Sequence, residues 1–325
     1  MPSPAIAFPK PWLYLFNPTN PHPVNRSMMK TKTFALRCAL FAALPAFSLV
    51  GAQAQIESEV IPLWTGEAPG AENPAGPSPI ITVYRPESPN GTAIVICPGG
   101  GYGGLVKGPE GTGIARWLNG HGITGVVLEY RLPNGNPIRP LSDVQQAIRL
   151  VRANAKDWNC DPKRIGVMGF SAGGHLASTA ATHFDTGDAT ATDPLTKLSS
   201  RPDFAILVYP VITMGAHTHG GSKRNLLGKA PSPEQIKRFS NELQVTAQTP
   251  PTFLAHAADD KPVPPENSAL FYQALQKHKV PAKFLKLPYG GHGLNGYKGP
   301  MWDAWQVQSL RWLTSLNLLD TAAGK

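Results

Sequence analysis

A chain of 325 residues, 42% hydrophobic and 16% charged, has an ordinary globular composition and is long enough for one large domain or two small ones. Its formal charge of +9 is not a polyanion-binding signal, and no nucleic-acid partner is expected. Lys10, Arg26, Lys30, Lys32 and Arg37 lie in residues 1–54, which hold no acid, while the other 25 basic residues face 21 acids with no block of like charge.

In chain order, residues 1–27 are proline-rich and read as a disordered extension or an upstream start. Residues 28–54 read as a signal peptide. Lys30, Lys32 and Arg37 form the positive region, Cys38 to Val50 the apolar stretch, and Ala52-Gln53-Ala54 a small-x-small cleavage site. The apolar stretch is short for a membrane span and contains Pro45, so no membrane association is expected after cleavage. A secreted or periplasmic domain over 55–325 follows.

That domain opens with Pro- and Gly-rich coil over 61–79, and strands and helices then alternate. The runs 80–86 and 92–98 are β-branched strands closed by proline, and 110–122 has helical spacing. Next come a buried strand at 123–130 and an amphipathic helix over 141–158 with Ser142 as N-cap. A strand at 164–170 runs directly into a helix from Ser171, followed by strands at 204–212, 251–257 and 282–288. Helices are expected at 265–279 and 301–316. Continuous apolar strands separated by helices predict an α/β domain, a mostly parallel sheet covered on both faces. Residues 212–249 form one irregular insertion, read as a small lid. Cys97 and Cys160 are expected to be free thiols.

The stretch MGFSAGGHLAS places Ser171 between Gly169 and Gly173, after a strand and before a helix. A serine hydroxyl needs a nearby base to become a nucleophile, and a sharp strand-to-helix turn presents it at the sheet's carboxyl edge. The order for this architecture is Ser, then Asp or Glu, then His. Asp259 and Asp260 follow the strand 251–257, and His292 lies in a glycine loop after the strand 282–288. Asp260 is chosen as the acid because it opens Asp-x-x-Val-Pro, a string that resembles the one carrying the acid in hydrolases of this kind, with Asp259 the alternative. His175, His256 and His278 are assigned structural roles. The loop PGGGYGG offers the backbone amides of Gly100 and Gly101 to an oxyanion, with Ala172 as partner donor. Pro98 stands where histidine is common in such loops. Tyr102, Arg224 and Asn225 are expected to contact substrate, as are His217 and Tyr289. No metal is expected, His217 and His219 having no third ligand spaced with them, and no cofactor motif is present.

Together PLWTGEAPG, ICPGGGYGGL, EYRLP, MGFSAGGHLAS, NLLG, HAADDKPVPPENS and GGHGL resemble the α/β-hydrolases of the acetyl xylan esterase-like group, some of whose members are labelled endo-xylanases. The resemblance runs over most of residues 60–316. It implies an α/β-hydrolase fold and a serine esterase that removes acetyl or similar acyl groups from plant polysaccharide, so that the partner is an acylated carbohydrate. A glycoside hydrolase would need two carboxylates placed across the scissile bond, and no such pair stands out. A prolyl-oligopeptidase-like peptidase shares the serine motif but carries a large extra domain, and a non-catalytic sugar binder would not need Ser, Asp and His together.

Overall fold

The computed structural model describes residues 58–70 and 77–319. The readings of residues 1–27 and 28–54 fall outside the described residues. The strands are β1 (Ser58–Pro62), β2 (Ile80–Tyr84), β3 (Gly91–Cys97), β4 (Thr124–Glu129), β5 (Cys160–Phe170), β6 (Phe204–Val208), β7 (Thr252–Ala257) and β8 (Ala282–Leu287). They form one sheet in the order β1-β2-β4-β3-β5-β6-β7-β8, with β1 and β2 antiparallel and β3 to β8 parallel. The helices are α1 (Gly113–Asn119), α2 (Ile138–Ala153), α3 (Ser171–Thr182), α4 (Gly220–Leu227), α5 (Pro233–Phe239), α6 (Glu266–Lys277), α7 (Leu294–Tyr297) and α8 (Pro300–Ser315).

Two apolar layers sandwich the sheet. Leu141, Val144 and Ile148 of α2, Leu176 and Ala180 of α3, and Phe271 and Leu275 of α6 cover one face. Ile114 and Leu118 of α1 and Trp302, Trp305 and Leu313 of α8 cover the other. Along β5 the side chains alternate between these layers, Ile165 and Val167 toward the first and Met168 and Phe170 toward the second. A strand buried on both faces is apolar at nearly every position, which is why β3, β6 and β7 read as continuous runs. This is the α/β-hydrolase architecture that the resemblance implies.

Several boundaries differ from the sequence reading. Ser142 is not an N-cap: α2 begins at Ile138, and Ser142 lies inside it, its hydroxyl donating to the Arg139 carbonyl. Pro140 falls in the first turn, where a missing amide costs nothing, so it does not delay the helix. The stretch expected as helix from residue 110 begins as a π-helical turn, Gly108–Thr112, and becomes α1 only at Gly113. β6 ends at Val208 because Tyr209 turns out of the sheet with φ 37°. β1 claims the first residues of the expected coil. The insertion at 212–249 folds as α4, α5 and a 3₁₀ turn, and is pinned to α3 by Asn241 Nδ2, which donates to the carbonyl of His175 and the hydroxyls of Ser178 and Thr179. Cys97 and Cys160 are free.

Candidate active site

Strand β5 ends on Phe170 in extended conformation, and Ser171 enters α3 with φ 53°. A left-handed φ is costly for a residue with a Cβ and persists only when its surroundings enforce it. Here the enforcement is steric. A Cβ on Gly169 would lie 2.1 Å from the Gly173 carbonyl oxygen, and one on Gly173 would lie 2.1 Å from the Cys97 carbonyl oxygen. The chain therefore reverses through glycine on either side of the serine and projects its side chain above the sheet edge.

His292 reaches this hydroxyl from the glycine loop after β8. Its Nε2 is 2.9 Å from Ser171 Oγ, and its Nδ1 is 2.8 Å from Asp260 Oδ2. Asp260 follows β7 and is 3% exposed. The Val263 amide donates to its Oδ1 at 3.0 Å, and His256 Nε2 lies 3.2 Å from its Oδ2. Burial alone would raise the Asp260 carboxyl. Hydrogen bonds from His256 and His292, the charge of His292 and the Val263 amide outweigh it and bring the group down to about 2. Asp260 is thus an anion at any ordinary pH, and it fixes the His292 tautomer with the proton on Nδ1 and the Nε2 lone pair toward Ser171. The neighbouring Asp259 does something else: its Oδ1 accepts from the Gly291 amide at 2.8 Å and braces the histidine loop.

Opposite the serine, the loop after β3 turns through Gly100 at φ 127° and Gly101 at φ 64°. Its carbonyls are engaged within the loop and by the insertion: Gly99 accepts from Val106, Gly100 from Gly103, and Gly101 from Asn225 Nδ2 at 2.9 Å. The amides of Gly100 and Gly101 have no acceptor among the described residues. Ala172 is the second residue of α3, so its amide has no partner in a preceding turn. Ser171, His292 and Asp260 are therefore brought into one hydrogen-bonded line. The amides expected to serve as donors flank it on the loop and at the helix start.

The residues expected to contact substrate divide. Tyr102 does not line an open site. It is 1% exposed, and its hydroxyl lies 2.9 Å from His175 Nδ1, because a φ of 59° turns the ring inward against Tyr130. Asn225 holds the glycine loop through its side chain. Arg224 is exposed and lines an open cleft of about 520 Å³ with Lys223, Lys229 and Pro231. His219 caps α4, its Nδ1 accepting from the Ser222 amide, whereas His217 and Tyr289 are exposed. His175 and His256 are buried and hydrogen-bonded, as their structural assignment requires. No group of three or more His, Cys, Asp or Glu side chains among the described residues is placed to hold a metal ion. One residue close to the site escaped the sequence reading altogether. Glu110, in the π-helical turn, is 2% exposed and accepts from the Gly99 amide at 2.7 Å. An acid in LVKGPEGTG belongs to no motif, and no local signal marks it.

The BD-FAE family model matches residues 81–275. The chain is 40% identical over 218 residues to an acetylxylan esterase of Xylanibacter ruminicola, covering 66% of this chain and 43% of that protein. It is 39% identical over 217 residues to endo-1,4-beta-xylanase B of Butyrivibrio fibrisolvens, covering 65% of this chain and 34% of that protein. The chain thus spans less than half the length of these curated relatives. Among solved structures, an acetyl ester-xyloside bifunctional hydrolase from Caldicellulosiruptor lactoaceticus superposes with a TM-score of 0.77 at 42% identity, covering 81% of this chain and 97% of that one.

Proposed function

The chain belongs to the BD-FAE family, and from that premise we propose that it is a serine carboxylic ester hydrolase acting on acetyl esters of xylan-type polysaccharide or its oligosaccharides. The observation that carries the reading is the line Ser171 Oγ–His292 Nε2 at 2.9 Å and His292 Nδ1–Asp260 Oδ2 at 2.8 Å. Ser171 Oγ attacks the ester carbonyl carbon while His292 Nε2 takes its proton. Asp260 holds the imidazole and stabilises the imidazolium that forms. The carbonyl oxygen gains the negative charge and is met by the amides of Gly100, Gly101 and Ala172. His292 then returns the proton to the departing sugar oxygen, leaving an acetyl-serine. Water, deprotonated by the same imidazole, releases acetate and restores Ser171. The relatives named for acetylxylan and for acetyl ester-xyloside hydrolysis support the substrate class. Export as a mature chain from Gln55 is part of the same proposal, since residues 28–54 carry the pattern of a cleaved signal and xylan lies outside the cell.

The test measures acid released from acetylated xylan, acetylated monosaccharides and methyl ferulate, with Ser171→Ala as control. Acetate release that falls by at least about 10⁴-fold in the variant is the expected result. Release of ferulate in preference to acetate would reassign the acyl group, and a variant as active as the wild type would end the serine mechanism.

A further inference from the structure

The mechanism above leaves one buried carboxylate beside the site without a task. Glu110 is 2% exposed, and a carboxylate so enclosed is tolerated only where donors surround it. Its partners come from three separate parts of the chain. Oε2 accepts from the Gly99 amide at 2.7 Å, at the root of the glycine loop. Oε1 accepts from the Tyr209 hydroxyl at 3.0 Å, at the end of β6. The Tyr297 side chain, in the turn that follows His292, lies within electrostatic reach of it.

Each partner bears on the reacting groups. Gly99 is wedged between Glu110 and the serine, since a Cβ there would lie 2.7 Å from Glu110 Oε2 and 3.0 Å from Ser171 Cβ. The orientation of its peptide therefore sets the two amides that follow it. Tyr209 holds φ 37°, an unfavourable conformation for a non-glycine residue, and its hydroxyl is anchored on Glu110. Its ring meets the His292 ring edge-on, with centroids 5.0 Å apart. Tyr297 belongs to the segment that carries the histidine loop into α8.

We propose that Glu110 is a positioning residue that joins the glycine loop, the Tyr209 ring against His292 and the Tyr297 turn into one rigid arrangement, so that the oxyanion donors and the base are aligned by a single carboxylate. The proposal rests on the ester-hydrolase reading and adds to it a residue outside the Ser-His-Asp line. Its chemistry has a cost to stability. Among the described residues, neutral hydroxyls, an amide and the charge of His292 act on the carboxylate, and Tyr130 is a further hydroxyl within electrostatic reach. Burial pushes the Glu110 carboxyl up, against the hydrogen bonds from Gly99 and Tyr209, the nearby Tyr297 hydroxyl and the charge of His292. A group that binds its proton more tightly in the folded state favours folding below its ordinary pKa, and that contribution disappears as pH rises through the raised value. Once ionised, Glu110 therefore works against the fold while it serves the site.

Glu110→Gln keeps the shape and an acceptor for Gly99 but removes the charge. For a readily cleaved acetyl ester at pH 8, kcat is expected to fall about 30- to 100-fold, the scale of a misaligned oxyanion donor, with KM within about twofold. Affinity for a boronic acid that becomes tetrahedral on Ser171 falls in parallel, and the melting temperature at pH 8 equals or exceeds that of the wild type. A merely structural Glu110 gives a different pattern, with melting temperature and activity falling together and boronate affinity preserved, and that result would overturn the proposal. So would an unchanged kcat in folded Glu110→Gln. Should that variant not fold, Tyr297→Phe removes the neighbouring hydroxyl at the half-buried rim: a kcat lowered about 3- to 10-fold with unchanged KM supports the proposal, and an unchanged kcat defeats it. A wild-type chain inactive on every ester defeats the ester-hydrolase reading itself, a result that none of these comparisons can be mistaken for.

Discussion

Two carboxylates lie within electrostatic reach of His292, and both are nearly shut off from water, Asp260 at 3% exposure and Glu110 at 2%. Burial raises both carboxyls, yet one is drawn down to about 2 and the other ends above its ordinary value. Their partners differ. Asp260 sits between two imidazoles, of which His292 becomes a cation in the proposed reaction, and it also receives the Val263 amide. Glu110 has an amide and a tyrosine hydroxyl, which hydrogen-bond the anion without neutralising it. The balance between burial and the donors that oppose it decides whether a carboxylate is a ready anion or a costly one. Under the proposed mechanism Asp260 answers a charge that appears on His292, and Glu110 holds neutral groups in place.

The comparison is broken most directly at Asp260. In Asp260→Asn the side chain can offer an N–H where His292 Nδ1 needs an acceptor, so the imidazole is driven toward the wrong tautomer. A kcat loss on the order of 10³- to 10⁴-fold with little change in KM is expected. Asp259→Asn is the matched control: it keeps an acceptor for the Gly291 amide, and a loss beyond about threefold would contradict the separate roles given to the two acids. The pH dependence of stability sharpens the same contrast. Because the folded value of Asp260 lies below its ordinary value, its contribution is present above pH ~4 and is lost as pH falls toward 2, on the order of 2 kcal/mol in all. Glu110 contributes with the opposite sign, in favour of folding at acid pH. Urea unfolding of wild type and Asp260→Asn from pH 6 to pH 2.5 should give stabilities that converge as pH falls. A gap of constant size would show that Asp260 is not bound more tightly as an anion in the fold.

How far each part was legible follows from where its signal lies. The parallel strands are readable because burial on both faces writes an uninterrupted apolar run. β1 is an exposed edge strand held by backbone pairing to β2, and it leaves no such pattern. Ser171 and His292 are readable because the backbone around them needs glycine, and glycine is visible in a sequence. Asp260 is readable for a local reason too: its carboxylate accepts from the Val263 amide, a bond closed within the Asp-x-x-Val-Pro string itself. Glu110 has no local signature, because its Tyr209 partner lies 99 residues away and the tyrosine is one more aromatic at the end of a strand. Tyr102 was misread because an aromatic in a glycine loop suggests a platform for substrate, and only the observed φ of 59° shows the ring turned toward His175.

Smaller effects separate the site's supports from its surroundings. Asn225 joins the insertion to the glycine loop through one neutral hydrogen bond, from its side chain to the Gly101 carbonyl. Asn225→Ala should lower kcat by about 10-fold, consistent with about 1 kcal/mol or slightly more for such a bond, and a larger effect on KM than on kcat would instead make Asn225 a substrate contact.

Tyr102→Phe is expected to have the least effect on turnover, and for that reason it tests the boundary of the site. The hydroxyl it removes meets His175 Nδ1, whose other nitrogen lies 2.8 Å from the Phe239 carbonyl. Burial lowers the His175 imidazole to about 4, so the ring is neutral and one of its nitrogens must accept. The Phe239 carbonyl can only accept, which places the proton on Nε2 and makes Nδ1 the acceptor of the tyrosine O–H. Deleting that donor leaves a buried lone pair with the more distant Thr179 hydroxyl at 3.4 Å as its remaining neighbour. A stability loss of about 1–2 kcal/mol is expected by urea unfolding, with kcat/KM on acetylated xylo-oligosaccharides within about twofold of wild type. A large loss of kcat/KM with unchanged stability would return Tyr102 to the substrate side of the loop. The expected result makes it part of the core that α3 and the insertion share beneath Ser171.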